Sequence, residues 1–263
     1  MSIADRLLPP TGLKVLITGG AAGIGGTAAQ AFHEAGAQVY ICDIDAHAVQ
    51  RMKEKYPGMQ GAVVDVGVQS DVDRIMDEAI LALGGLDVLI NNAGIAGPTG
   101  GIDQLDVAAW QQTISTNLNS QFYFLRKAVP FLRQSEHNPH IVVMSSVAGR
   151  LGYPYRTPYA ATKWAIVGLM KSLASELGPD NVRVNAVLPG VVAGERMSRV
   201  MSARAEALGI SEEAMHEQYM DKISLRRMVT MEDIAAMTLF LSSPAAVNIT
   251  GQAISVDGNV EYL

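Results

Sequence analysis

The sequence predicts an α/β protein with one doubly wound, mostly parallel sheet and helices on both of its faces. Three observations predict it. Seven short apolar, β-branched runs alternate with longer helical stretches. Several of those runs are apolar throughout, which suits strands buried on both faces. No repeat, low-complexity segment or Pro/Ser linker divides the 263 residues. Unbroken strand–helix alternation closes into a single parallel sheet, so residues 1–263 read as one domain.

The first strand is read over 14–18. It runs into Thr18-Gly19-Gly20-Ala21-Ala22-Gly23-Ile24-Gly25, and a helix over 23–36 starts there. A strand over 38–42 leads to a helix over 46–56, and a strand over 61–64 to a helix over 71–83 with Ser70 as its N-cap. A strand over 87–90 precedes a long helix over 107–133. A strand over 140–145 precedes a helix over 159–177. The sixth strand spans 182–188. A helix over 231–241, started by Thr230, and a strand over 253–256 close the pattern.

The stretch 194–227 breaks that rhythm. It is helical and charged, has no strand, and reads as a small lid. Met197, Met201, Met215, Met220, Met228, Met231 and Met237 lie in or just after it. Flexible thioethers suit adaptable binding surfaces. Met197, Val200, Met201 and Leu208 are expected to face a pocket, with Arg199, Arg204, Glu206 and His216 in solvent.

Composition removes several function classes. The chain is 49% apolar with a net charge of −6, so it lacks the polar composition of disorder. No basic block offers a nucleic-acid surface. No apolar run reaches the length of a membrane span. Residues 1–10 contain no signal-like apolar run, so a cytoplasmic protein is expected. Cys42 is the only cysteine. That excludes an intrachain disulfide and a cysteine metal cluster. Asp and Glu are scattered without metal-site spacing, and no metal is expected. Cys42 itself reads as a buried strand residue.

The glycine turn carries the first chemical signal. Gly19, Gly23 and Gly25 are spaced G-x-x-x-G-x-G directly after the first strand. A dinucleotide's pyrophosphate needs bare backbone N–H groups at a helix N-terminus, and a glycine lets helix and strand pack closely. Asp43 follows 18 residues after Gly25, near the spacing of about 20 expected for a ribose-binding acid. A carboxylate there accepts from ribose hydroxyls and repels a 2′-phosphate. Ala21, Ala22 and Ile44 stand where a cation for that phosphate would sit. The expected cofactor is therefore NAD.

Taken in order, these motifs resemble the short-chain dehydrogenase/reductase family over essentially the whole chain. Gly19, Gly23, Ile24 and Gly25 match its cofactor loop. Asp65-Val66 matches the pair that flanks the adenine. Asn91-Asn92-Ala93-Gly94 matches the element after the fourth strand. Asn117 stands at the helix asparagine. Ser145-Ser146 and Tyr159-x-x-x-Lys163 match the catalytic segments, Pro189-Gly190 follows the sixth strand, and Val256-Asp257-Gly258 closes the core. The resemblance implies a seven-stranded Rossmann-type sheet and assembly as a homotetramer or homodimer through 107–133 and 159–177. It also implies oxidation of a small-molecule alcohol or reduction of a ketone.

Ser146 precedes Tyr159 by 13 residues, the family's spacing, so Ser146 rather than Ser145 is taken as the catalytic serine. Tyr159 and Lys163 are four apart and share a helix face. By resemblance, Tyr159 takes the alcohol proton, Lys163 lowers the phenol pKa and holds the nicotinamide ribose, and Ser146 bonds the substrate oxygen. Asn117 holds a water that relays the proton. Asp43, Ile44, Asp65, Val66, Asn91, Ala93, Gly94, Pro189, Gly190 and Val192 complete the expected cofactor contacts. One departure stands out. The family often places a threonine at position 194, where this chain has glycine, so the backbone of Val192 is expected to orient the carboxamide.

Arg150, Tyr153, Arg156 and Arg196 are the candidate substrate contacts, with Ser146 and Tyr159. Arginine suits planar recognition of carboxylate, phosphate or sulfonate. A sugar, polyol or anionic hydroxy compound is the expected substrate. Two other readings remain: a ketone or 3-oxoacyl reductase, and a non-catalytic nucleotide sensor or scaffold on the same fold.

Overall fold

Helices cover both faces of a seven-stranded sheet in a computed structural model that describes residues 2–263. Met1, the first residue of the segment read as free of a signal run, lies outside the described residues. The strands are β1 (Lys14–Thr18), β2 (Gln38–Asp43), β3 (Gln60–Val63), β4 (Val88–Asn91), β5 (His140–Met144), β6 (Arg183–Pro189) and β7 (Ala253–Val256). Their order is β3-β2-β1-β4-β5-β6-β7, and every pairing is parallel. The expected sheet was mostly parallel. Among the described residues no antiparallel strand joins the sheet, because a helical crossover joins each strand to the next.

The strands feed alternate side chains to two cores. Leu16, Leu89, Ile141, Val143, Val184 and Leu188 join one face. They pack against α3 (Gln69–Leu83), α5 (Ser120–Leu132) and α6 (Thr157–Leu177). Val15, Ile17, Val88, Ile90, Val142 and Val187 join the other, against α1 (Gly23–Glu34), α2 (Ala46–Lys55) and α9 (Met231–Leu241). Two-sided burial explains the unbroken apolar runs in the sequence.

Two local expectations need correction. Helix α3 begins at Gln69 with Val68 at its N-cap and no side-chain cap, so Ser70 lies inside the first turn. Thr230 does start α9, through a reciprocal capping box with Asp233. The long helix read over 107–133 is α4 (Val107–Ile114), a π turn over Ser115–Asn119, and α5. Apolar periodicity cannot register the one-residue slip of a π turn.

The lid is two helices, α7 (Glu195–Leu208) and α8 (Glu212–Asp221). Met215, Tyr219, Val191, Ala205, Ile223 and Val260 form its own small core, with Met197, Met201, Met220 and Met228 packed against it. Leu208, expected in the apolar face, is exposed. Position 194 has φ +140°, and a Cβ there would come 2.9 Å from the Met231 methyl. Glycine is therefore required, which accounts for the missing threonine. Cys42 is fully buried in β2, where burial and Asp43 push its thiol pKa up. It is a packing residue. No helix among the described residues is long and apolar enough to cross a membrane.

Candidate active site

The strand order reverses between β1 and β4, and such switch points hold the ligand crevice of open α/β sheets. Two side chains join the loops on either side. Thr18 Oγ1 accepts from the Asn92 and Ala93 amides, both at 2.9 Å. Asn92 Nδ2 donates to the Thr18 and Gly19 carbonyls at 3.0 and 3.1 Å. A cleft of about 1040 Å³ opens there.

One end of the cleft is walled by Gly19, Gly23, Ile24, Asp43, Ile44, Asp65 and Val66. Gly25 lies beneath the turn, where any Cβ would strike the Gly19 carbonyl oxygen. Asp43 accepts from the Ala21 amide at 3.1 Å through Oδ2 and from the Asp45 amide at 3.2 Å through Oδ1. Those contacts aim the carboxylate at the turn. No Lys or Arg lines this end. The Asp65 side chain folds back onto the Gly67 amide at 2.9 Å.

Ser146, Tyr159, Lys163, Ala93, Gly94, Pro189, Gly190 and Val192 line the other end, with Tyr153, Arg156 and Arg196. Helix α6 places Tyr159 and Lys163 one turn apart, with the ammonium 5.5 Å from the phenol ring centre. Lys163 Nζ is buried and donates to the Met144 carbonyl at 2.7 Å. Ser146 caps the turn after β5, accepting from the Ala148 amide. Ser145 turns the other way and donates to the Lys163 carbonyl at 2.8 Å. Both serines line the cleft, but the Ser145 hydroxyl is committed to that carbonyl.

Burial alone would raise the Tyr159 pKa. Lys163, Arg196, the Ser146 hydroxyl and Arg156 outweigh it, and the phenol is held below its ordinary value near 10. Lys163 is itself lowered, by burial and by Arg196 against the pull of Tyr159. Removing a cation favours the neutral phenol, so Arg196→Gln is expected to raise the Tyr159 pKa. Ultraviolet pH titration, read as the difference from the same protein carrying Tyr159→Phe, measures this. An unchanged or lower midpoint would show that Arg196 does not act on the phenol.

Besides Gly25, three expected contacts are not in the cleft lining. Asn91 is fully buried, donating to the Gln121 carbonyl at 3.1 Å. Its neighbour Asn92 faces the cleft instead, because adjacent strand-end residues point to opposite faces. Arg150 pairs with Asp257 at 2.9 Å and the Val260 carbonyl at 3.0 Å, away from the cleft lining. It ties the β5 turn to the chain after β7. The Asn117 side chain is spent on Ile95: Oδ1 accepts from its amide at 2.7 Å and Nδ2 donates to its carbonyl at 3.0 Å. That leaves only its main chain for the expected water.

Other residues were not anticipated. Arg204, expected in solvent, is 4% exposed. It donates to Tyr219 Oη at 2.8 Å and lies 5.0 Å from the Tyr153 ring centre. Tyr153 and Tyr219 share a 2.6 Å hydroxyl hydrogen bond that closes lid onto wall. Arg204 and Val200 are four apart on α7, so helical spacing alone put that arginine on the buried face. Arg199 lines the cleft as well.

The family profile described as enoyl-(acyl carrier protein) reductase matches residues 19–260. A probable galactose dehydrogenase of Rhizobium meliloti is 34% identical over 252 residues, covering 94% of each chain. The 3-oxoacyl-(acyl-carrier-protein) reductase of Thermotoga maritima is 31% identical over 253 residues, 95% of this chain and 98% of its own. Among solved structures, 7α-hydroxysteroid dehydrogenase complexed with NADH and 7-oxo glycochenodeoxycholic acid aligns with a TM-score of 0.88. Its identity is 30%, over 99% of this chain and 98% of that one. By name these relatives handle a sugar, an acyl chain and a steroid, so the substrate must be read from the lining residues.

Proposed function

The chain belongs to the short-chain dehydrogenase/reductase family and is an oxidoreductase of that type; from that premise we propose that it moves hydride between a secondary alcohol and NAD, with Tyr159 as the acid–base group. One observation carries the reading: the Tyr159 phenol lines the cleft beside Ser146 and Lys163, with its pKa lowered. A phenol that titrates lower is a better base near neutral pH.

The residues fit a dinucleotide. The open space beside Gly23 and the turn amides at the start of α1 suit a pyrophosphate. Asp43 suits ribose hydroxyls, and the exposed side chain of Ile44 offers a flat apolar surface for a base. Bound NAD supplies the hydride acceptor. Tyr159 Oη removes the hydroxyl proton of the alcohol. Ser146 Oγ donates to the substrate oxygen as its charge changes. Lys163 stabilises the phenolate. Asn117 positions the cleft wall through Ile95. In ketone reduction the same groups run in reverse, with Tyr159 giving up its proton.

The test is oxidation of a panel of secondary alcohols, sugars and hydroxy acids, followed as NADH absorbance with each cofactor form. A 2′-phosphate beside Asp43 sets like charges together, which costs several kcal/mol. NAD is expected to exceed NADP in kcat/KM by about 100-fold. Faster turnover with NADP would overturn the assignment of the cofactor.

A further inference from the structure

Guanidinium groups gather at the substrate end of the cleft without forming an ion pair. Arg156 is 2% exposed. Its Nη2 donates to the Ala96 carbonyl at 2.7 Å, and its Nε is buried without a partner. Its guanidinium lies 5.3 Å from the Tyr159 ring centre and 5.4 Å from that of Tyr153. Arg204 stands behind Tyr153, also with a buried Nε that has no partner. Arg196 donates to the Gly94 carbonyl at 3.0 Å. None of these arginines, nor Arg199, joins an ion pair among the described residues.

A buried cation without a counter-charge is expensive, and folded proteins pair such groups or use them. This chain does pair Arg150 with Asp257. Aromatic faces offset part of the cost for Arg156 and Arg204. They do not supply an acceptor for the remaining N–H groups. Arg156 Nη1 has no hydrogen bond and is not among the sealed atoms, so it keeps solvent access on a side chain that lines the cleft. The acidic side chains of the cleft lining are Asp43 and Asp65, at the glycine-turn end, and the exposed Glu195.

We propose that the substrate carries an oxyanion group (carboxylate, sulfonate or phosphate) and that Arg156 binds it beside Tyr159, with Arg196 and Arg199 of the lid closing over the same charge. Arg156 is thereby a specificity-determining residue. This rests on the reading of Tyr159 as the acid–base group, because it sets the anion beside the reacting alcohol. The cofactor's own phosphates are a separate charge. They belong at the glycine turn, and Arg156 touches Tyr153, Tyr159 and Ala96 instead.

Matched pairs of alcohols test it, such as 2-butanol against 3-hydroxybutyrate and 2-propanol against 2-hydroxypropanesulfonate. The measured quantity is the ratio of kcat/KM, anionic over neutral. The parent enzyme is expected to favour the anionic member, and Arg156→Gln to lower that ratio by about 10- to 100-fold, mostly through KM. Arg156→Lys keeps the charge without the planar fork, and is expected to fall between them. A parent ratio near one, or a ratio that Arg156→Gln leaves unchanged, would overturn the proposal. So would an Arg156→Gln variant whose only defect is NADH affinity, since the cofactor would then be the anion served. If Arg156→Gln does not fold, the parent ratio and Arg156→Lys decide. Equilibrium binding of acetate, methanesulfonate and phosphate to the enzyme–NADH complex separates this inference from the one beneath it. Saturable anion binding weakened in Arg156→Lys, with no alcohol oxidised, sinks the alcohol reading and leaves the anion site standing. Alcohol oxidation with no anion binding does the reverse.

Discussion

Tyr159→Phe is expected to cut alcohol oxidation by at least about 10²–10⁴-fold while leaving the fold and NADH affinity near those of the parent. The substitution removes one oxygen and keeps the ring. That ring is what Lys163 and Arg156 pack beside, at 5.5 and 5.3 Å. The hydrogen-bonding neighbour of the Tyr159 hydroxyl is the Ser146 hydroxyl, which also lines the cleft, so its loss strands no sealed partner. The stability cost should be within about 0.5 kcal/mol, as for changes that touch no buried network. Proton transfer, by contrast, loses its only phenol, since Tyr153 is tied to Tyr219 and its pKa is pushed up by burial and by that neighbour. Steady-state rates, thermal midpoints and NADH fluorescence titration check the three parts together. Turnover within tenfold of the parent would remove Tyr159 from the proton path.

The residues of this site differ in how readable they were. The sheet was legible because two-sided burial writes itself as unbroken apolar runs, as in His140–Met144. Thr230 was legible as a cap because its acid partner Asp233 lies three residues on. Ser70 misleads because a cap preference is a local bias, and the helix starts two residues earlier, at Val68, without any side-chain cap. Asn91 and Asn92 differ by one residue, and only the pleat decides which enters the cleft. Strand alternation, counted forward from Leu89 in the core, assigns them. Arg150 and Arg156 are the harder case. Both are arginines in one short loop, and sequence cannot tell which finds a carboxylate. Asp257, more than 100 residues away, answers for Arg150. No carboxylate answers for Arg156, and that difference, invisible in the sequence, is what the anion proposal rests on. Arg204 reversed its expected place for a related reason. A charged residue on a lid was read as solvated, whereas Tyr153 and Tyr219 provide ring faces and one hydroxyl for its guanidinium.

Gly25→Ala is expected to damage the cofactor site more than any other single-methyl change in the turn. A Cβ at position 25 would overlap the Gly19 carbonyl oxygen and come 2.5 Å from Asn92 Nδ2. The first of these is backbone and cannot swing aside. The second is held by its own bonds to the Thr18 and Gly19 carbonyls, the clamp across the switch point. Relieving the overlap must therefore push α1 away from the turn or open the clamp. Overpacking of this kind costs about 1–3 kcal/mol of stability. The same shift displaces the amides that face a pyrophosphate, and NADH affinity should fall by about 10- to 100-fold. Gly23→Ala provides the control. No atom lies within 4 Å of a Cβ there, and only its φ of +56° resists a side chain. That conformation costs about 1–2 kcal/mol for an L residue, with no steric overlap to move the clamp. NADH titration of both variants beside their thermal midpoints gives the comparison. If Gly23→Ala weakens NADH binding as much as Gly25→Ala, backbone conformation rather than close packing governs the turn, and the role given to the Gly19–Asn92 contact is wrong.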